Sequence, residues 1–315
     1  MHHYDRDTLF QPLGIREDFQ HLWREYIPRE AIKHPFLMHG ILALSALHIA
    51  FEQPENADKY LRLCDKHQTK ALELFRTVLM TDITPDVSTA LFALSTTISI
   101  LSTARSCADA AMMQEPQFIG MDQVAELFLL TRGIRDLILT CMDWVSAGPL
   151  GPMLQGDDLS GRCDTELPSP VQRQFIILEH MLEECCPPEY RLDCEHALRS
   201  LEDIYRDISY VARAKDIETQ HIWRWMLLAP PDPVRMVTAC FPPALIILAH
   251  FAAVSLTAQK SWYTRDWGHY VLTGISMTLL GSEMHMYLDW PMEQARTQMA
   301  VLTQVDEIDS VMDDR

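Results

Sequence analysis

Apolar residues recur at intervals of three and four along almost the whole of this 315-residue chain, and alternating strand-like runs are scarce. This spacing is typical of helices, because residues three and four positions apart lie on one helix face. The sequence therefore predicts an all-α fold, an array of about ten packed helices.

The clearest of these helices is the segment Pro35–Phe51. Proline stands at its first position, where a backbone N–H would have no partner within the helix in any case. Glycine and alanine residues are interspersed with its bulky apolar residues, and such small side chains let a neighbouring helix approach closely. We therefore expect this helix to be central in the fold.

Capping residues and prolines predict further helix boundaries. Thr84 and Pro85 should be the N-cap and first residue of a helix that runs to about Thr103, followed by a loop over 105–120. Pro242 and Pro243 should kink or restart a helix that covers about 233–258. The other helices are expected at about 56–80, 121–144, 171–185, 188–212, 215–228, 264–288 and 291–311.

Glycine and proline concentrate between residues 146 and 170. This segment is the clearest helix breaker of the chain. We expect residues 1–315 to form a single helical regulatory or ligand-binding domain, in which any internal division falls near 146–170.

The net charge of −18 limits the partners of the chain. Nucleic-acid binding depends on basic side chains that neutralise phosphates, and here 26 Lys+Arg face 44 Asp+Glu. We therefore expect no direct contact with nucleic acid and no binding to an anionic membrane surface. The longest apolar stretches, such as Phe241–Leu256, contain proline and histidine and are too short for a membrane span.

The eight cysteines are scattered and never form a CxxC pair. The N-terminal residues MHHYDRDTLF are polar and lack the apolar core of a signal peptide. These features predict free thiols in a reducing compartment, the nucleus or the cytoplasm.

No set of reactive groups stands out as catalytic. The motifs HExxH, GxSxG, the P-loop and GxGxxG do not occur in the sequence. The aspartate pairs 157–158 and 313–314 lie in the glycine- and proline-rich segment and at the end of the chain, where solvated charge is the ordinary role. We predict no catalytic residue.

Two groups contain metal-ligating residue types. The first, at the start of the chain, is His2, His3 and Asp5. The second is Cys185, Cys186, Cys194 and His196. Neither spacing matches a structural zinc module, so we interpret the first group as a polar chain start and the second as buried free cysteines. No metal is predicted, and His39 and His48 are interpreted as hydrogen-bonded core histidines.

Several segments carry motifs that occur together in one order. They are Met1–Leu9 (MHHYDRDTL), His34–Ala50 (HPFLMHGILALSALHIA), Lys66–Leu79 (KHQTKALELFRTVL), Glu126–Ile134 (ELFLLTRGI), Trp144–Leu154 (WVSAGPLGPML), Phe241–Val254 (FPPALIILAHFAAV), Ser261–Gly268 (SWYTRDWG) and Asp289–Pro291 (DWP). Their joint order resembles the C-terminal regulatory domain of fungal zinc binuclear cluster transcription factors, in particular those of the sterol uptake control protein type. No six-cysteine zinc cluster module occurs in this sequence, so zinc binding and DNA binding do not carry over.

The resemblance implies a ligand-sensing domain that binds a sterol or another hydrophobic small molecule and controls transcription. Beyond such a lipid-like ligand, no cofactor is expected. The expected protein partners are transcriptional machinery, a DNA-binding segment that is absent here, and a second copy in a homodimer. The residues predicted to line the hydrophobic pocket are Leu91, Leu94, Ile98, Phe128, Ile134, Leu245, Leu248, Ala249, Phe251, Ala252, Trp262 and Trp267.

Two other functions stay open from the sequence. The same scaffold could serve as a natural-product biosynthetic enzyme, because one fold can host unrelated activities. It could also be a ligand-free protein interaction module, in which the apolar residues predicted for the pocket simply fill the core.

Overall fold

A computed structural model of the chain describes residues 20–80, 83–154, 165–213, 217–228, 233–258 and 261–297. Within these ranges the protein forms twelve α-helices and no strand, which confirms the all-α prediction. The chain divides into two compact units. Unit 1 comprises Met1–Gln117, Glu126–Asp157 and Lys260–Arg265, and unit 2 comprises Phe118–Ala125, Asp158–Gln259 and Asp266–Arg315. One passage between the units, at residues 157 and 158, lies inside the glycine- and proline-rich segment.

Unit 1 is built from the first five helices. They are α1 (Ile27–Lys33), α2 (Pro35–Glu52), α3 (Ala57–Leu79), α4 (Pro85–Ala111) and α5 (Met121–Ala147), of which the first turn belongs to unit 2. A π-helical segment, Leu22–Tyr26, leads into α1, and 3-10 helices cover Pro54–Asn56 and Gly151–Leu154.

The helix α2 is central in unit 1, as predicted, and packs against α1, α3 and α4. Gly40 permits the close approach of α4, since a Cβ added there would lie 2.5 Å from Leu94 Cδ1. Leu37, Ile41 and Leu44 of α2 are completely buried in the same core as Leu94. The small residue at the crossing therefore decides how tightly the two apolar helices pack.

The helix α4 continues to Ala111, so the predicted loop over 105–120 is wrong for its first half. The segment is more polar than the apolar run before it, but that change does not end the helix. In the structure Arg105 forms ion pairs with Asp109, one turn later, and with Asp65 of α3. Ala104 and Ala110 are buried beside these charges, which keeps the polar end of the helix against the unit.

The helices α2 and α4 are long and apolar enough to cross a membrane by length and composition alone. Of their apolar windows, 61% and 72% are buried inside the protein, so most of each window is covered by other parts of the chain. Ser45 Oγ donates to Ile41 O and Thr97 Oγ1 to Ala93 O, both at 2.8 Å, whereas Ser95 Oγ of α4 is buried without a partner among the described residues. Hydrogen bonds to the preceding turn therefore satisfy some, but not all, of the hydroxyls in these buried helices.

Unit 2 contains the remaining helices. They are α6 (Ser169–Cys185), α7 (Pro188–Val211), α8 (Thr219–Leu228), α9 (Pro233–Thr238), α10 (Pro242–Ser255), α11 (Trp267–Thr278) and α12 (Asp289–Arg296). Between α10 and α12 there are also 3-10 helices at Leu256–Ala258 and Glu283–Leu288.

Two predictions for unit 2 have different outcomes. The proline pair restarts the helix, as expected, because α9 ends at Thr238 and α10 begins at Pro242. The single helix predicted over 264–288 is wrong: α11 ends at Thr278, and Gly281 then adopts a φ of +81°. This left-handed conformation suits glycine and stops a right-handed helix. The part of the last predicted helix beyond residue 297 lies outside the described residues.

The helix α10 is the centre of unit 2. Every residue from Pro243 to Ser255 is buried, and α10 contacts each of α6, α7, α8, α9, α11 and α12. A helix that is apolar on all sides is stable in water only when other elements surround it. Burying one such side chain, Leu248 for example, contributes about 1.5–3 kcal/mol.

Gly268 lets α11 approach α10, and its replacement tests how tight that contact is. A Cβ added at Gly268 would lie 2.3 Å from the carbonyl oxygen of Ala252 and 2.8 Å from Leu256 Cγ. Because a helix backbone cannot yield like the end of a side chain, Gly268→Ala should lower the free energy of unfolding by about 1–3 kcal/mol in urea denaturation.

The matched control is Gly133→Ala in α5, where an added Cβ has no neighbour within 4 Å. This change should stabilise the protein by about 0.5–1 kcal/mol, since alanine favours helix more than glycine does. Equal effects of the two substitutions would contradict the proposed close contact between α10 and α11.

Candidate functional site

The residues predicted to line a ligand pocket are all buried, and they are divided equally between the two units. Unit 1 contains Leu91, Leu94, Ile98, Phe128, Ile134 and Trp262. Unit 2 contains Leu245, Leu248, Ala249, Phe251, Ala252 and Trp267. Burial alone does not distinguish a pocket from ordinary packing, so the two groups are compared by the side chains around them.

Four of the six unit 1 residues are part of the main core of that unit. Leu91, Leu94 and Ile98 lie along α4 in one continuous cluster of buried apolar side chains that also includes Trp262. The ring of Trp262 packs edge-on against His48 at 5.0 Å between centroids. These contacts are apolar packing, although Trp262 Nε1 is also buried without a hydrogen-bond partner among the described residues.

The unit 2 group includes two aromatic residues that meet two others. Phe251 of α10 and Trp267 of α11 lie 5.8 Å apart between ring centroids, at an interplanar angle of 73°. From α8, Trp225 stacks on Phe251 at 4.5 Å, and Trp223 lies 4.9 Å from Trp267. We call these four residues the aromatic cluster. Such tilted and offset ring pairs are the favoured arrangements of aromatic side chains.

The sequence analysis did not include Trp223 and Trp225 among the pocket residues. Both are in the segment HIWRWML, which reads as an ordinary amphipathic helix. The spacing of two residues puts them on different parts of the α8 surface, yet both reach Phe251. The high tryptophan content of this short helix was the signal that could have identified them.

The two indole N–H groups of α8 have different environments. Trp225 Nε1 donates to Ala197 O at 3.2 Å and to Ser200 Oγ at 3.1 Å. Trp223 Nε1 is buried and has no hydrogen-bond partner among the described residues. A buried donor without an acceptor costs about 1–3 kcal/mol. A ligand oxygen placed beside Trp223 would remove that cost.

Two hydroxyl groups of α8 and of the helix that contacts it are also buried without a hydrogen-bond partner within the described ranges. Thr219 Oγ1, one turn earlier on the same face of α8, and Ser209 Oγ of the adjoining helix α7 are buried without a partner in the described part of the chain. Small-molecule sites are mostly apolar, with a few polar groups that orient the ligand. The aromatic cluster with these polar atoms has that composition.

On another side of α10, a polar network surrounds a completely buried histidine. The Nδ1–H of His250 donates to Ile246 O at 2.8 Å, which leaves Nε2 as an acceptor for the amide of Gln174 at 3.0 Å. Tyr205 OH donates to His250 O at 2.9 Å, and the indole of Trp290 stacks on the imidazole at 5.3 Å. These contacts tie α6, α7 and α12 to α10.

The network holds His250 in its neutral form. Burial lowers the pKa of His250 to about 4, although the hydrogen bond to Ile246 O opposes this shift. Burial likewise raises the pKa of the Tyr205 hydroxyl. Both groups are therefore uncharged at neutral pH, and they serve here as hydrogen-bonding groups within the core.

The other histidines singled out in the sequence have separate environments. His48 is buried, and its Nδ1 lies 3.9 Å from Glu52 Oε2. His39 is hydrogen-bonded as expected, with its Nδ1 2.8 Å from Nδ1 of His67 in α3. It is only half-buried, however, so its interpretation as a core residue is wrong. His39 lies where α2 contacts α3, and its side chain there is partly exposed to solvent.

The sequence predicts no zinc site at Cys185, Cys186, Cys194 and His196, all of which are among the described residues. No group of three or more histidine, cysteine, aspartate or glutamate side chains in the described ranges could hold a metal ion. The interpretation of the group as buried cysteines is confirmed for Cys186 and Cys194 but wrong for Cys185, which is exposed. His196 is exposed whereas Cys194 is buried, because residues two apart on a helix face different ways. The groups His2, His3 and Asp5, Asp157 and Asp158, and Asp313 and Asp314 lie outside the described residues.

Comparison with known proteins finds similarity along most of the chain. Residues 1–112 match the family described as the fungal specific transcription factor domain. Over 312 residues, 94% of this chain, the sequence is 24% identical to a Zn(2)-C6 fungal-type transcription factor of Gibberella zeae, and it spans 61% of that protein. A stretch of 79 residues is 32% identical to sterol uptake control protein 2 of Saccharomyces cerevisiae. This stretch makes up 25% of this chain and 8% of that protein.

The neutral state of His250 predicts how stability changes with pH. An unfolded histidine has a pKa of 6.5, whereas the folded value is about 4. Between these values protons bind the unfolded chain preferentially, so stability should fall as the pH falls, by up to about 1.4 kcal/mol per pH unit. Urea denaturation at pH 7 and at pH 5 measures this loss.

His250→Gln removes the titrating group, so its stability should change less between pH 7 and pH 5 than that of the unmodified chain. The matched control is His180→Gln, which replaces an exposed histidine of α6 and should keep the original pH dependence. The same pH dependence in all three proteins would show that His250 does not contribute.

Proposed function

We propose, from the premise that the chain carries a regulatory domain of the fungal transcription factor type, that this domain senses a hydrophobic small molecule and controls transcription in response. The premise rests on the family match over residues 1–112 and on the similarity to a fungal transcription factor along 94% of the chain. A sterol is the first ligand to test, because another relative carries the name sterol uptake control protein 2.

We propose the aromatic cluster as the centre of the ligand site. A rigid apolar ring system would pack on the rings of Trp223 and Trp267 and against Leu248 of α10. Its hydroxyl or carbonyl oxygen would accept a hydrogen bond from Trp223 Nε1. The observation that carries this placement is the buried indole N–H without an acceptor among the described residues. For the other predicted pocket residues of unit 2, and for the six of unit 1, contact with the ligand stays a prediction.

Ligand entry at this site would change the arrangement of helices. The rings of α8, α10 and α11 already touch one another in the structure. A ligand between them must therefore move α8 relative to α10, and a ligand controls a domain only through such a difference in affinity between two states. This movement is the step that we propose links ligand binding to regulation.

The regulated partners would be proteins. A chain with a net charge of −18 repels nucleic acid, so this domain would act on transcriptional machinery, on a DNA-binding segment, or on a second copy of itself. The compartments in which it would act are the nucleus and, before import, the cytoplasm.

The first test is to purify the protein from a fungal host under native conditions and analyse its organic extract by mass spectrometry. We expect one sterol or similar apolar molecule per chain. Protein that carries no ligand, and whose melting temperature no sterol or lipid changes, would contradict the sensor and favour an interaction module. A bound biosynthetic intermediate would instead favour an enzyme.

A pair of tryptophan substitutions tests the placement of the ligand. Trp223→Phe removes an N–H that has no described partner, so the ligand-free protein should be as stable as before or slightly more stable. Its affinity for the ligand should fall about tenfold through loss of one hydrogen bond. Isothermal titration calorimetry and urea denaturation measure the two effects.

Trp225→Phe is the matched control. It removes an N–H that is already bonded to Ala197 and Ser200, so it should lower the free energy of unfolding by about 1–3 kcal/mol. Unchanged ligand affinity in Trp223→Phe would contradict the assignment of Trp223 as the residue that binds the ligand oxygen.

A further inference from the structure

Three sulfur atoms from three helical segments lie together inside unit 2. Cys186 is the C-terminal cap of α6, Cys194 lies in α7 and Met236 in α9. All three residues are buried, with 2%, 0% and 3% of their surface exposed. Cys194 Sγ is 3.7 Å from Met236 Sδ, and the Cys186 thiol, which lies 3.7 Å from Pro187 O, interacts electrostatically with the thiol of Cys194. We call these three residues the sulfur cluster.

The sulfur separation suits a metal ion. Two sulfur ligands at about 2.3 Å from a metal, in trigonal or tetrahedral geometry, are about 3.8–4.0 Å apart. The 3.7 Å between Cys194 Sγ and Met236 Sδ is already close to that distance. An ion could therefore be held by these two side chains after only a small adjustment of their rotamers.

The chemical types of the three sulfur ligands indicate which metal ion the cluster would prefer. Thiolate and thioether sulfur prefer soft ions such as Cu(I), whereas structural zinc sites use four thiolate or imidazole ligands. No histidine, aspartate or glutamate of the described residues completes a three-ligand metal group with these cysteines. A set of two thiols and one thioether is consequently more suitable for monovalent copper than for zinc.

The surroundings of Cys186 include a cation that can offset the charge of the occupied site. Arg191 Nη2 donates to Cys186 O and to Glu183 O, both at 3.0 Å. Two thiolates, one thioether and one Cu(I) ion carry a net charge of −1, which this guanidinium would partly neutralise. The carboxylates of Glu189 and Glu195 act on Cys186 in the opposite sense.

We propose that Cys186, Cys194 and Met236 bind one Cu(I) ion, which is a second binding function independent of the hydrophobic ligand. On binding, both thiols release their protons to solvent, two Cu–S(thiolate) bonds and one Cu–S(thioether) bond form, and no electron is transferred. In the metal-free protein, burial raises the pKa of both thiols, so they remain protonated and act as ordinary apolar side chains.

The test is an anaerobic titration of the full, reduced chain with Cu(I) in competition with the chromophoric chelator bicinchoninate. We expect one tightly held ion per chain and a new near-ultraviolet absorption from thiolate-to-copper charge transfer. Cys186→Ser and Cys194→Ser should each weaken binding at least about a hundredfold, and Met236→Leu about tenfold. Because methionine and leucine have similar volumes, Met236→Leu should fold normally, and circular dichroism of every variant checks this.

The matched controls are Cys185→Ser and Cys240→Ser, which remove exposed thiols of the same unit. Both should keep the affinity of the unmodified chain. The proposal is overturned if the chain takes no Cu(I) from the chelator, or if a control loses as much affinity as Cys194→Ser, which would indicate adventitious surface binding. Tighter retention of Zn(II) than of Cu(I) would overturn the choice of ion.

Discussion

The burial of α10 on every side is the constraint on which unit 2 depends. A helix with no solvent-facing stripe cannot exist alone in water, so each neighbouring helix is required to cover part of it. Its polar side chains must also find partners in the interior: Ser255 Oγ donates to Ala252 O, and His250 bonds to Ile246 and Gln174. Apolar burial and complete hydrogen bonding of His250 therefore act together to position α6, α7 and α12.

The helical fold could be predicted well because several helix N-termini are marked in the sequence by a proline. Proline at positions 35, 85 and 242 begins a helix in each case, since its fixed φ suits a first turn and its missing N–H is not needed there. The helix ends were harder to predict. In the helical segment 105–111, Arg105 forms an ion pair with Asp109 one turn later and another with Asp65 of α3, and the break after Thr278 is followed by the left-handed Gly281. Neither feature is visible as local periodicity.

The sites were less predictable because they depend on which helix faces meet. Phe251 and Trp267 are predicted from the sequence to line a pocket, but their contacts with Trp223 and Trp225 arise from the packing of a separate helix. Cys194 was considered with its neighbour His196, whereas its real sulfur partner Met236 is distant in the chain. Periodicity predicts which side chains of a helix are buried. Which residues of other helices they contact depends on the tertiary packing.

Each unit is made of three separate segments of the chain, and this arrangement limits how the gene can evolve. The chain crosses after Gln117, Ala125, Asp157, Gln259 and Arg265. Unit 1 thus takes Trp262, the ring against His48, from a segment encoded after most of unit 2. Gene shuffling could not transfer either unit as one uninterrupted exon-like block. Separating the units would require several simultaneous breaks in the gene, so substitution within them is the simpler route to a change in function.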